Sequence, residues 1–285
     1  MNLPSASPPT RPPISAGQFT ITAGIAAAIV SAFKFTEFNP LLLAAPGSLK
    51  AMAEFALGFF PPDLSFTFLA TTLKPAFETI QLATAGTALA ILLGFPLSLM
   101  ATSTFHLHGS LFEGDPIVSK SQKFLFATPY WISRLMLNTM RSIPELIWAL
   151  LFVRMAGLGP AAGILGIGVA YAGILGKVFA EIMEGADTRP ALALRATGAT
   201  RPQAVLYGIL PASFRTLLSY TLYRWECGMR AAAILGFVGA GGLGQQIEIS
   251  MRMFEHHRTA TLIIELFLLV ALSDAISSHL RKKFT

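Results

Sequence analysis

The sequence predicts an all-α, polytopic membrane protein with about six transmembrane helices, and three observations carry that expectation. Hydrophobic residues make up 53% of the 285-residue chain and charged residues only 13%, with a mean hydropathy of +0.61, far from the balance of a soluble domain. Apolar runs recur at about 20 residues, long enough for a helix to cross a hydrocarbon core of about 30 Å. The charges fall between those runs rather than in one block. The net charge of +6 therefore reads as the loop charge of a membrane protein, not as a nucleic-acid surface.

Taken in order, residues 1–17 open with a Pro/Ser-rich stretch and are expected to form a flexible tail. The apolar run at 18–36 has no small-residue cleavage site and many spans follow it, so it reads as a retained first span rather than a signal peptide. The stretch 51–60, closed by Pro61-Pro62, is too short to span and is expected at the membrane interface; with the first span it forms a segment 18–75. The remaining spans are expected at 76–101, 128–156, 161–183, 212–236 and 259–279. Arg134, Arg141, Pro144 and Glu145 interrupt the third, which a proline kink would break. The fourth carries small residues four apart, Ala162, Gly166 and Ala170, with Ala172, Gly176 and Ala180 on a neighbouring stripe. Such spacing lets helix backbones approach closely, either within the chain or at a subunit contact.

Six spans put both termini on one side, and loop charge orients them. One side receives Arg11, Lys120, Lys123, Arg189, Arg195, Arg201 and the tail Arg281-Lys282-Lys283. The other receives Lys50, Lys74, Arg252 and Arg258, offset by Glu37, Glu54, Asp63, Glu248 and Glu255. The first side is thus expected to be cytoplasmic.

Catalytic chemistry finds little support. His106, His108, His256, His257 and His279 fall at loops or helix ends without a metal-binding spacing. Glu181 and Glu184 read as a solvated helix end. Gly176-Lys177-Val178 lacks the features of a phosphate-binding loop, so an energy source would have to lie on another chain. The run Gly239-Ala-Gly-Gly-Leu-Gly244 satisfies GxGxxG but follows a membrane helix with no βαβ unit, and reads instead as a flexible re-entrant or gate-forming turn. Cys227 is the single cysteine and excludes an intrachain disulfide. Ionisable residues within the spans are the chemical clue, because charge at membrane depth is costly unless paired or hydrated. Arg141 and Glu145 are four apart, as are Glu226 and Arg230, so each pair is expected to share a helix face, with Arg224 close by.

The loop at about 185–211 contains Arg189-Pro-Ala-Leu-Ala-Leu-Arg-Ala-Thr-Gly198 and ends at Leu210-Pro211. A short helix along the membrane, bounded by a Gly turn and a Pro stop, would make a rigid lever; the plainer reading is a basic loop that only sets orientation. The stretch resembles the coupling loop of ABC importer permeases: Glu-Ala-Ala, three residues, Gly, nine residues, Ile, one residue, Leu-Pro. Ala193, Gly198, Leu210 and Pro211 match; Leu192 stands where Glu is usual and Gly208 where Ile is usual. Further blocks extend the resemblance over about residues 70–283. These are Arg141-Ser-Ile-Pro-Glu-Leu-Ile-Trp, Gly157-Leu-Gly-Pro160, Tyr223-Arg-Trp-Glu226, the stretch from Leu235 to Gly244, and Asp274 with the closing Leu280-Arg281. Together they are similar to the permease subunit of phosphonate ABC importers.

That resemblance implies a type I importer permease fold over 76–283, in a bacterial inner membrane. It implies a lipid bilayer, a second permease copy (the same chain or a sister), an ABC ATPase subunit and a periplasmic phosphonate-binding protein as partners. No cofactor would sit on this chain, ATP being hydrolysed by the partner. Leu192, Ala193, Gly198, Leu210 and Pro211 would shape the coupling element. Arg141, Glu145, Arg224, Glu226 and Arg230 would line or support the path, and Gly239, Gly241, Gly242 and Gly244 would sit near the outer gate. A permease for another solute such as methionine, and a secondary carrier working without an ATPase, are the alternatives.

Overall fold

A computed structural model describes residues 16–36, 45–106 and 120–284. The expected tail at 1–17 therefore falls almost wholly outside the described residues, as do Arg11, Glu37 and His108. The described chain is helical and divides after Leu57 into two units. The first holds α1 (Ala16–Phe35), matching the expected first span, and α2 (Pro46–Leu57), the short segment expected to be interfacial.

The second unit is a helical assembly: α3 (Phe66–Ala101), α4 (Ser103–His106), α5 (Lys120–Ser142), α6 (Glu145–Ala156), α7 (Pro160–Glu184), α8 (Arg189–Ala196), α9 (Arg201–Ala204), α10 (Leu210–Gly236), α11 (Gly242–Arg252) and α12 (His256–Phe284). A π-helical turn at Val205–Ile209 joins α9 to α10. Four described helices are long and apolar enough to cross a membrane: α1, α3, α7 and α12. The two other expected spans correspond to the α5–α6 pair and to α10. The latter has 27 residues, but Arg215, Arg224, Glu226 and Arg230 lie within it.

Helix α7 is the centre. Ala162, Gly166, Ala170, Tyr171, Ala172, Leu175, Gly176, Phe179 and Ala180 are buried along its length. Both small-residue stripes are consumed inside the chain. A Cβ on Gly166 would stand 2.9 Å from Ala149 of α6, and one on Gly94 of α3 would stand 2.7 Å from the Ala172 carbonyl oxygen. Small side chains thus let four helices close around α7, giving the intrachain reading of the stripes. In contrast, α12 shows Ile263, Ile264, Phe267, Leu268, Leu272 and Ile276 on its surface, as a lipid-facing helix would.

Several expectations need correction. The second span begins ten residues early, at Phe66, so Lys74 and Pro75 lie inside α3 rather than in the preceding loop. The Thr79 hydroxyl donates to the Pro75 carbonyl (3.0 Å), one of several threonine hydroxyls that hydrogen-bond the backbone on that side. The third span is two helices. Pro144 lacks an N–H and disfavours helical geometry at Ile143, so α5 stops at Ser142 and α6 restarts at Glu145. Trp148 Nε1 donates to the Met140 carbonyl (3.1 Å), satisfying one of the acceptors freed by the break. Pro211 does not stop a helix. It occupies the first turn of α10, where its missing N–H costs little, and the π turn before it absorbs the change of register. Finally, the glycine turn is followed by an unexpected amphipathic helix, α11, before the last span begins.

Candidate functional site

The hairpin expected to be the coupling element is built from Asp187 onward. Asp187 accepts the Arg189 backbone N–H (3.0 Å) and pairs with the Arg189 guanidinium (2.7 Å), which holds this exposed carboxyl below the usual carboxylate range. Helix α8 follows and ends where Gly198 adopts φ +90°, a left-handed geometry that favours glycine. There the Ala199 N–H returns to the Leu194 carbonyl (3.1 Å), the closing bond of a glycine C-cap. Thr200 starts α9, its N–H donating to Gln203 Oε1 (2.8 Å).

The two arms of this hairpin touch at the position that departs from the motif. A Cβ on Gly208 would stand 2.7 Å from Ala191 Cα. Glycine in the usual isoleucine slot therefore lets the π turn lie directly on α8, with Ala191, Ala204 and Ile209 buried in the seam. Leu192, in the usual glutamate slot, is half-buried and packs against the core. Leu210 is likewise half-buried, whereas Ala193, Gly198 and Pro211 are exposed. Leu206 and Tyr207 add exposed apolar surface.

The base of this element is anchored by a contact that the sequence reading missed. Glu184, at the end of α7, accepts from Arg134 Nη2 (2.6 Å) and from the Ser103 backbone N–H (2.7 Å), while Arg134 Nε donates to the Ala101 carbonyl (3.0 Å). Glu184 is therefore not a solvated helix end; one half-buried ion pair ties together α3, α5 and α7. Glu181 pairs separately with Lys177 (2.8 Å).

The intramembrane charges divide. Arg141 and Glu145 do not share a helix face, because the break at Ile143-Pro144 changes the phase between them. Arg141 is exposed and donates to Asn138 Oδ1 (3.1 Å), and Glu145 sits in the first turn of α6. Glu226 and Arg230 do pair (2.9 Å), and Arg281 of α12 approaches the other Glu226 oxygen at 3.5 Å. Glu226 is buried, so this bridging offsets its desolvation. Arg224 instead lies over the Tyr171 ring, its Cζ 4.5 Å from the centroid. Glu145 and Arg230 are within electrostatic reach of the Tyr171 hydroxyl, and the Arg141 backbone packs against Gly173 two residues on, so α5, α6, α7 and α10 bring the candidates toward one region. Tyr171 carries no motif, and nothing in the sequence marks it out from other aromatic residues.

The glycine turn is a packed corner. Gly239, Gly241 and Gly242 have φ of +87°, +95° and +74°. The Gly159 N–H donates to the Gly239 carbonyl (2.9 Å). Gly242 N–H donates to Glu78 Oε2 (3.2 Å) and Leu243 N–H to Thr79 Oγ1 (2.9 Å), so α3 caps the first turn of α11. A Cβ on Gly244 would collide with the Ala233 carbonyl. Glu78 lies twelve residues, about 18 Å of helix rise, beyond the start of α3, and the non-helical backbone it caps is covered by protein.

At the far end, Asp63 N–H donates to the His257 carbonyl (3.2 Å), His257 Nδ1 meets the Pro61 carbonyl (2.8 Å), and Arg258 lies 3.6 Å from Asp63. These residues, with Glu255, line a cavity of about 490 Å³. Ser65 hydrogen bonds and the Arg258 charge hold the Asp63 carboxyl below the usual carboxylate range. His256 and His257 belong to this helix start, and no metal-binding cluster occurs among the described residues.

Comparison with known proteins agrees with this architecture. The chain is 33% identical over 236 residues, 83% of its length and 78% of the relative's, to the phosphite transport system permease protein PtxC of Stutzerimonas stutzeri. It is 36% identical over 82% of its length to the putative phosphite transport system permease protein HtxC of the same organism, covering 76% of that protein. Its fold matches a chain of the MetNI methionine ABC transporter in an inward-facing conformation, with a TM-score of 0.62 at 23% identity, over 78% of this chain and 100% of that one. Residues 123–285, which include the coupling hairpin, the charged helix α10 and the glycine corner, match the binding-protein-dependent transport system inner membrane component, and the chain belongs to that family of transport permeases.

Proposed function

We propose that this permease carries phosphorus oxyanions, phosphonates or phosphite, across a bacterial inner membrane as the spanning subunit of an ATP-driven importer. The coupling hairpin is the observation that carries the mechanism. It is a compact unit wedged by Gly208 against Ala191, rooted through Glu184, and it offers Ala193, Gly198, Leu206 and Tyr207 as an exposed, largely apolar face. An ABC ATPase subunit docks on that face and hydrolyses ATP. Motion of the hairpin passes into α10 without a break, because α9, the π turn and α10 are one helical run. The two names of phosphite transport permeases at 33% and 36% identity support the substrate class.

In this reading a periplasmic binding protein delivers the anion, a second permease copy completes the pathway, and both termini are cytoplasmic. Arg141, Glu145, Arg224, Glu226 and Arg230 line or support the path, and the corner at 239–244 stands near the outer gate. Alternating access then follows from ATP-driven approach of the two hairpins.

The test is uptake of radiolabelled phosphite and methylphosphonate into proteoliposomes holding the chain with its ATPase and binding protein. Uptake that needs both ATP and the binding protein is expected. ATP hydrolysis coupled to methionine uptake instead would retain the importer and discard the substrate class. Uptake by the chain alone, without ATP, would make it a secondary carrier. Gly198→Asp is expected to abolish ATP-driven uptake while leaving membrane insertion intact. A Cβ there meets nothing within 4 Å, but the φ of +90° strains any side chain, so Gly198→Ala is the control that separates backbone strain from the added charge.

A further inference from the structure

We infer that Arg224, laid over Tyr171, is the oxyanion contact at the middle of the membrane pathway, and that Glu226 neutralises Arg230 and Arg281 while the charge of Arg224 stays free for the anion. This rests on the importer reading above and deepens it by naming the group that meets the substrate.

Depth comes first. Tyr171 stands eleven residues from the start of α7 and thirteen from its end, so the guanidinium over it is at mid-span. A charge there is costly unless paired or hydrated. Arginines elsewhere in the region and at the helix ends have partners, Arg141 donating to the Asn138 amide oxygen. Arg230 and Arg281 both reach Glu226, and Arg134 reaches Glu184. Among the described residues no carboxylate lies within ion-pair distance of Arg224, and its Nε is buried without an acceptor. A second unsatisfied group lies where α3 meets the same helix, α10. Thr87 Oγ1 of α3 is buried without a partner and faces Gly228, one turn beyond Arg224 on α10.

A planar donor fork with an unfilled position, held over an aromatic ring, is chemically suited to the oxygens of a phosphorus oxyanion. The ring fixes the guanidinium without using its N–H groups, which stay available. Beside it, Tyr223, Arg230, Ile234 and Phe237 form an exposed stripe on α10. A half-exposed arginine in that stripe fits a hydrated path or a second permease copy better than lipid. A single contact also keeps binding weak, which a conduit requires.

The test uses the full complex with ATPase and binding protein. Arg224→Gln is expected to lower phosphite and methylphosphonate uptake by about tenfold or more, while binding-protein-stimulated ATP hydrolysis stays within about twofold. Arg224→Lys, which keeps charge but loses the fork, serves if the Gln variant fails to assemble, and is expected to fall between the two. Uptake by either assembled variant at the wild-type rate overturns the assignment and leaves the importer reading intact.

Independently, phenylglyoxal labelling of Arg224, read by mass spectrometry, is expected to slow in millimolar phosphite. Labelling unchanged by phosphite, phosphate and methylphosphonate overturns the site. Protection in a complex that imports no phosphorus oxyanion keeps the site and overturns the transport reading.

Discussion

Gly208 shows how one residue can depart from a motif and still serve it. The family pattern places isoleucine there, yet a Cβ in this chain would stand 2.7 to 2.9 Å from Ala191 atoms, two of them backbone. Restoring the usual residue with Gly208→Ile is therefore expected to harm this protein, costing about 1–3 kcal/mol by overpacking and lowering ATP-driven uptake. Thermal unfolding of the purified complex checks the first effect, and an unchanged Tm would contradict it. Asp63 offers a pH test at the same scale. Its folded pKa is depressed, so its contribution is present above the ordinary value of 3.8 and is lost as pH falls through the folded value. Wild type should exceed Asp63→Asn in thermal stability at neutral pH. The gap should close only on acidification below about pH 4, and should not change between pH 6 and 8.

At the scale of elements, the hairpin is rooted at the junction of α3, α5 and α7 around Arg134 and Glu184. The pair is about four-fifths buried and each partner also holds backbone of the α3–α4 turn. A double-mutant cycle of Arg134→Ala and Glu184→Ala is expected to give a coupling of about 1–2 kcal/mol, between the values typical of exposed and buried pairs. Additive losses would show that the two act separately. Much of this element was legible. A helical hairpin at 189–209 was legible from the Gly198 and Leu210-Pro211 spacing, and the break in the third span from Pro144. The Arg141–Glu145 face failed because i, i+4 reasoning assumes an unbroken helix, which the same proline removes. Helix α11 was missed because its capping groups, Glu78 and Thr79, come from more than 160 residues away and leave no local start signal.

For the whole molecule, the expected orientation depends on the positive-inside rule and can be measured directly. Cys227 is the single cysteine, so a Cys227→Ser background permits site-directed labelling. Thr197→Cys, on the coupling hairpin, is expected to react with a membrane-impermeant maleimide only in inverted vesicles. Leu64→Cys, beside Asp63, should react only in intact spheroplasts, and both positions are exposed. The reverse pattern would place the hairpin outside and end the coupling assignment.

Local hydrophobicity, a property of about 20 consecutive residues, is enough to mark the chain as a helical membrane protein and to locate its apolar runs, though not the ends of its helices. The sequence also determined the family, through several ordered blocks rather than any one. How the charges pair is a matter of packing between distant segments. Arg224, Arg230 and Arg134 look alike along the chain; what separates them is whether a distant helix supplies a carboxylate or an aromatic face. Burial and pairing at mid-span are set by the neighbours that packing brings together, and no spacing rule within one helix can supply those neighbours.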